Sequence, residues 1–200
     1  MKSSGKILRS RWNLARMISQ LILKIIGWKT RTISLDFPRF ILIGAHHTSN
    51  WDFIIGYMVM TAIGLNFRFV GKHTLFRWPL GGFMRRLGGI AVNRSLSTNF
   101  VEQVASHFQE QDQLIVAIAP EGTRQQTDYW RSGFYYIALQ ARVPVVLGFL
   151  DYPSKTGGLG TMFHPSGNIE KDMELVRDFY AGVHGKYPEK AGTIRFQPRA

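Results

Sequence analysis

Past residue 38 the chain alternates short apolar runs with longer stretches in which apolar positions recur at helical spacing. Residues 40–45, 67–70, 90–92, 114–119 and 144–150 are of strand length, and several are apolar throughout, as in strands buried on both faces of a sheet. Between them, residues 51–63, 79–87, 99–109, 129–141 and 171–182 carry the helical pattern. This order predicts an α/β fold, a single domain whose mostly parallel central sheet is flanked by helices. Residues 193–196 are a further candidate, for an edge strand.

The N-terminal stretch has a different pattern. Trp12, Leu14, Met17, Ile18, Leu21, Ile22, Ile25 and Trp28 fall on one side of a helix, and Asn13, Arg16, Gln20, Lys24 and Gly27 on the other. Residues 1–38 are therefore an amphipathic segment ahead of a domain spanning residues 39–200. Arg16 and Lys24 interrupt any signal-peptide core, and no small-residue cleavage site follows. The longest apolar candidate, residues 53–65, falls short of the roughly 18 to 20 residues that cross a bilayer. Two seats suit the helix: the headgroup layer of an anionic membrane, or the flank of the domain. The tryptophans at its ends and the flanking Lys2, Lys6, Arg9, Arg11, Lys29 and Arg31 favour the membrane.

Composition narrows the chemistry. With 200 residues, 45% hydrophobic and 19% charged, the chain is long enough for one core and too apolar to be disordered. The absence of cysteine excludes disulfides, iron–sulfur clusters, thiolate zinc sites and cysteine nucleophiles. The net charge of +12 is uneven: residues 1–94 carry 15 basic and 2 acidic groups, and residues 95–200 carry 10 and 11. Such an excess calls for a phosphate-rich partner, either nucleic acid or an anionic membrane.

Motifs for P-loops, dinucleotide folds, zinc proteases and serine-hydrolase elbows are missing. His46-His47-Thr48-Ser49-Asn50-Trp51-Asp52 instead stands where an apolar strand ends and a helix begins, the position that faces the ligand crevice in open α/β sheets. A carboxylate in the first helical turn can accept a proton from one imidazole nitrogen and leave the other free to deprotonate a hydroxyl. The same residues also fit a plain helix start, with Thr48, Ser49 or Asn50 as cap and Asp52 against the helix dipole. A second strand end carries Pro120-Glu121-Gly122-Thr123-Arg124, where Arg124 offers a phosphate fork and Gly122 close backbone approach. Arg94 ends a third strand, and Lys72 lies in the same acid-free basic stretch between Arg68 and Arg94. Each of these segments also fits a solvated polar turn.

In order and interval, four blocks over residues 39–151 resemble those of the glycerolipid (lysophosphatidic acid type) acyltransferase family, in its short bacterial form. They are His47-x4-Asp52; Gly71-Lys72 through Trp78-Pro79-Leu80-Gly81 to Gly89-Ile90-Ala91-Val92-Asn93-Arg94; Pro120-Glu121-Gly122-Thr123-Arg124; and Val143-Pro144-Val145-Val146. The resemblance implies transfer of an acyl chain from acyl-CoA or acyl carrier protein to a lysophospholipid hydroxyl, with His47 as general base assisted by Asp52. It places Arg94, Glu121, Gly122, Thr123 and Arg124 around the acceptor, where Lys72 joins them as a phosphate candidate. No metal and no bound cofactor is expected. The expected partners are an anionic membrane surface, the lysolipid and the acyl-CoA or acyl carrier protein donor, with no nucleic acid. The expected location is peripheral or monotopic, on the cytoplasmic face of the inner membrane. His46 stands where asparagine is common in the family, and Gln125 where serine often follows the third block. Rival readings are a thioesterase or lipid hydrolase using the same pair on water, and a non-catalytic nucleic-acid-binding module, which leaves the His47/Asp52 pairing without a purpose.

Overall fold

A computed structural model describes residues 13–92 and 97–196. Trp12, Lys2, Lys6, Arg9, Arg11 and Arg94 lie outside the described residues. In chain order the elements are α1 (Asn13–Ile25), β1 (Lys29–Arg31), β2 (Arg39–Ala45), α2 (Asn50–Ala62), β3 (Arg68–Lys72), a 3-10 turn (His73–Phe76), α3 (Gly81–Arg86), β4 (Gly89–Val92), α4 (Ser97–Glu110), β5 (Leu114–Ile118), α5 (Gly133–Ala141), β6 (Val145–Asp151), β7 (Thr156–Phe163), α6 (Ile169–Tyr180) and a second 3-10 turn (Pro188–Lys190). The seven strands form one sheet in the order β1-β7-β6-β2-β5-β3-β4, and every pairing is parallel except β6 with β7.

β2 is central and buried from Phe40 to Ile43. Its alternation divides the core in two, as a period-2 strand must. Ile41 and Ile43 pack with Phe108, Phe134, Ile137 and Tyr180 from α4, α5 and α6, and Phe40 and Leu42 pack with Leu23, Ile55 and Val59 from α1 and α2. The predicted α/β order holds for the five strands expected and adds β1 and β7 to them. β7 was hidden by its glycines, which lower strand propensity. They are there for close approach: a Cβ at Gly158 would lie 1.7 Å from the Arg31 carbonyl oxygen of β1, and one at Gly160 would lie 2.0 Å from the Phe179 ring of α6. Residues 193–196 give no edge strand; Phe196 makes an isolated bridge with Trp130.

α1 turns Arg16, Ser19, Gln20 and Leu23 toward the domain. Arg16 Nε and Gln20 Nε2 both donate to the Ala62 carbonyl, at 3.1 and 3.0 Å, and so satisfy the open C-terminal end of α2. Ser19 and Leu23 are buried, whereas Leu14, Met17, Leu21 and Ile25 are each more than half exposed. The apolar stripe thus faces outward as far as Ile25, but Trp28, expected at the membrane, is instead buried in the core, edge-on to Tyr152 with ring centroids 5.1 Å apart.

Candidate functional site

Because β2, β5 and β6 are adjacent and parallel, their C-terminal ends share one edge of the sheet. The chain leaves β2 into His46 and His47, leaves β5 into Glu121, and leaves β6 into Tyr152. α2 begins at once after β2, with Ser49 in an extended conformation as N-cap and its hydroxyl accepting from the Trp51 N–H at 3.2 Å. Asp52 is the third residue of that helix and completes a capping box. Its Oδ2 accepts from the backbone N–H groups of Thr48 and Ser49, each at 2.7 Å, and stands 3.4 Å from His47 Nδ1. Its Oδ1 accepts from the Tyr152 hydroxyl at 2.6 Å.

One carboxylate therefore both caps the helix and stands beside His47. Burial pushes the Asp52 carboxyl up, but hydrogen bonds from His47, Tyr152 and Ser49, together with the His47 charge, outweigh it and hold the group below its ordinary 3.8. Asp52 thus keeps its negative charge while nearly inaccessible. Tyr152 shows the reciprocal effect: burial and the adjacent carboxylate drive its phenol far above the ordinary range, so it remains a donor. With Nδ1 turned to Asp52, Nε2 is the nitrogen of His47 left to meet a ligand, on a side chain about one-fifth exposed (21%).

Glu121 is turned inward. Its Oε2 accepts from the His47 backbone N–H at 2.6 Å, and its Oε1 lies 3.4 Å from His46 Nδ1. The residue is buried, so its carboxylate fixes the backbone at His47. The His46 ring packs edge-on against Tyr180, whose hydroxyl donates to the Gly148 carbonyl at 2.8 Å. Burial, followed by the nearby Glu121 charge, raises the Tyr180 phenol well above its usual value. Beyond Glu121 the loop turns at Gly122 (φ 68°), and Thr123 and Arg124 are exposed on the rim. Lys72 is exposed at the C-terminal end of β3, on the same sheet edge. Of the residues picked from sequence, the structure brings His47, Asp52 and Glu121 into direct contact and leaves Thr123, Arg124 and Lys72 on the surface.

A C-terminal strap completes the site. Tyr187 N–H donates to Thr48 Oγ1 at 3.2 Å, and a Cβ on Gly185 would lie 2.9 Å from that same oxygen. His184 accepts from the Tyr152 N–H at 3.0 Å and donates its own N–H to Asp151 Oδ1 at 3.0 Å. Tyr152 was missed from sequence, although the strand-end rule that singled out His47 and Glu121 applies equally to the residue following β6. Among the described residues no group of three or more His, Asp or Glu side chains is placed to hold a metal ion. The arrangement suits proton transfer to and from a hydroxyl or leaving group at Nε2, with the imidazolium stabilised by a buried carboxylate whose pKa is held below its ordinary value.

The sequence model of a family described as Acyltransferase matches residues 36–147, a span that runs from before β2 into β6. No curated protein matches the chain in sequence. Among solved structures, the 1-acyl-sn-glycerophosphate (LPA) acyltransferase PlsC from Thermotoga maritima superposes with a TM-score of 0.56 at 14% identity, over 82% of this chain and 74% of that one. At that identity the likeness is one of fold.

Proposed function

Since the chain belongs to the acyltransferase family, we propose that it moves an acyl chain from a thioester donor, acyl-CoA or acyl carrier protein, to the hydroxyl of a lysophosphatidic acid-like lysophospholipid at a membrane surface. The observation that carries this reading is the His47–Asp52 pair, 3.4 Å apart at the sheet edge, with the carboxylate held by two backbone donors and Tyr152. His47 Nε2 takes the proton of the acceptor hydroxyl as its oxygen attacks the thioester carbonyl. The new C–O bond forms, the C–S bond breaks, and the departing thiolate takes the proton back from the imidazolium. Asp52 stabilises that imidazolium throughout and holds the ring so that Nε2 points outward. Thr123, Arg124 and Lys72 on the rim, with Arg94 in the segment after β4, are the groups proposed to hold the acceptor phosphate.

The membrane seat is proposed for α1, whose apolar face is exposed between basic residues. No described helix is long and apolar enough to cross a bilayer, in keeping with a peripheral or monotopic placement, for which the cytoplasmic face of the inner membrane is proposed. The deciding experiment incubates the purified protein with a panel of lysolipids and both donor types and follows new diacyl lipids by mass spectrometry. His47→Ala is expected to lower that product about a hundredfold to ten-thousandfold with the fold intact. Free fatty acid made at the same rate with or without lysolipid would instead identify a hydrolase, and full activity in the variant would refute the role of His47.

A further inference from the structure

The segment after β3 presents apolar side chains outward from a fixed base. Phe76 is buried, and its ring lies where a Cβ on Gly71 of β3 would approach to 3.0 Å and one on Gly89 of β4 to 2.6 Å. Only glycine at both positions lets the ring settle onto the β3–β4 pair. The next turn closes as tightly: Gly81 N–H donates to the Arg77 carbonyl at 2.7 Å, and a Cβ on Gly81 would lie 2.0 Å from the Phe76 carbonyl oxygen. While Phe76 is pinned inside, its neighbours point out: Trp78 is 93% exposed, Leu80 58%, Phe83 57% and Leu75 41%. Four large apolar side chains in nine residues, on a segment anchored this closely, are an exposed patch that calls for a partner.

Charge says which partner. Residues 66–92 contain Arg68, Lys72, Arg77, Arg85 and Arg86 and no acidic residue, so every charge the segment itself carries beside the patch is positive. A nearly free tryptophan among leucine, phenylalanine and arginine is the composition of a headgroup-level membrane contact. Placement agrees: β3 is parallel to β5, and β5 to β2, so the segment leaves the sheet at the edge where His47 stands. We propose that residues 73–86 form a second bilayer-docking surface, separate from α1, which inserts Trp78 and Leu80 among the lipids of an anionic membrane and lays Arg77 and Arg86 on their phosphates. This surface brings the sheet edge that carries His47 down to the bilayer.

The test measures partition of the full-length protein into vesicles of equal parts phosphatidylcholine and phosphatidylglycerol, and into pure phosphatidylcholine. Trp78→Ser with Leu80→Ser is expected to weaken binding to the mixed vesicles about tenfold. Arg77→Gln with Arg86→Gln is expected to lose about tenfold on the mixed vesicles and little on the neutral ones. Circular dichroism melts confirm that these exposed substitutions leave the fold unchanged. Partition equal to the parent in both variants overturns the proposal. So does unchanged partition combined with a selective loss of binding to acyl carrier protein, which would make the patch a dock for that acidic protein. The readout needs no acyl transfer, so it stands or falls apart from the catalytic reading.

Discussion

Asp52 shows how much one side chain can settle. Its two oxygens close the first turn of α2, fix the loop at Thr48 and Ser49, face His47 and accept from Tyr152. The capping half of this role was legible because it is local: a hydroxyl residue followed three positions on by an acid is a helix start. The spacing of His47 to Asp52 was legible for the same reason. Glu121 was noticed for its strand-end position, but its partner was not foreseeable, since the hydrogen bond to the His47 N–H joins residues 74 apart in sequence. Tyr152 is 100 residues from Asp52 and stayed hidden.

Its hydroxyl supports the charged form of Asp52, so Tyr152→Phe should raise the Asp52 pKa toward or past the ordinary carboxylate value. A carboxylate depressed in the folded state adds stability above its unfolded pKa and loses it as pH falls through the folded one. Raising the folded value shrinks that contribution. The variant should therefore unfold in acid at a higher pH than the parent, and the acid limb of its pH–activity profile should move the same way, with kcat affected more than KM. An unchanged acid limb would show that Tyr152 serves only to fill space.

Among the elements, α1 and β7 are the instructive ones. Periodicity identified α1 as a helix with an apolar and a polar face, yet periodicity does not say which face turns inward. The open carbonyl of Ala62 decides it, because Arg16 and Gln20 reach that carbonyl only with the polar side against α2. The exposed residues Met17, Leu21 and Ile25 can therefore be changed at little cost to the fold. Replacing all three with glutamine, a good helix former, should alter stability by less than about 1 kcal/mol and yet sharply reduce sedimentation with anionic vesicles. β7 went unread because glycine spacing carries no strand signal, although the glycines are what admit β1 and α6. Gly158→Ala should push β1 off β7 and cost about 2 kcal/mol or more in denaturant unfolding, given a Cβ 1.7 Å from the Arg31 oxygen and a φ of 154°.

For the molecule as a whole, the alternation of apolar runs and helices sufficed for the α/β class and for the central strands, because strands buried on both faces leave continuous apolar runs. It did not supply strand order, which depends on packing between distant segments. The charge asymmetry likewise pointed to a polyanion without saying where the cations would stand. Among the described residues, Lys24 and Lys29 accompany α1, Arg77, Arg85 and Arg86 lie within residues 73–86, and the acidic groups are concentrated in residues 95–200. Binding to anionic vesicles should accordingly have two parts. Raising salt from about 0.05 to about 0.5 M should remove the electrostatic part and leave an apolar remainder that matches binding to neutral vesicles. Complete release in high salt would mean that neither apolar face enters the lipid.

The strap formed by residues 184–187 bears on how the protein is made. His47 and Asp52 leave the ribosome ahead of their partners: Glu121, Tyr152 and the backbone of Tyr187, which hold their loop in place, follow over the next 135 or so residues. During synthesis the pair therefore stays unassembled until Tyr187 has emerged, so the site forms only after every strand of the sheet is available.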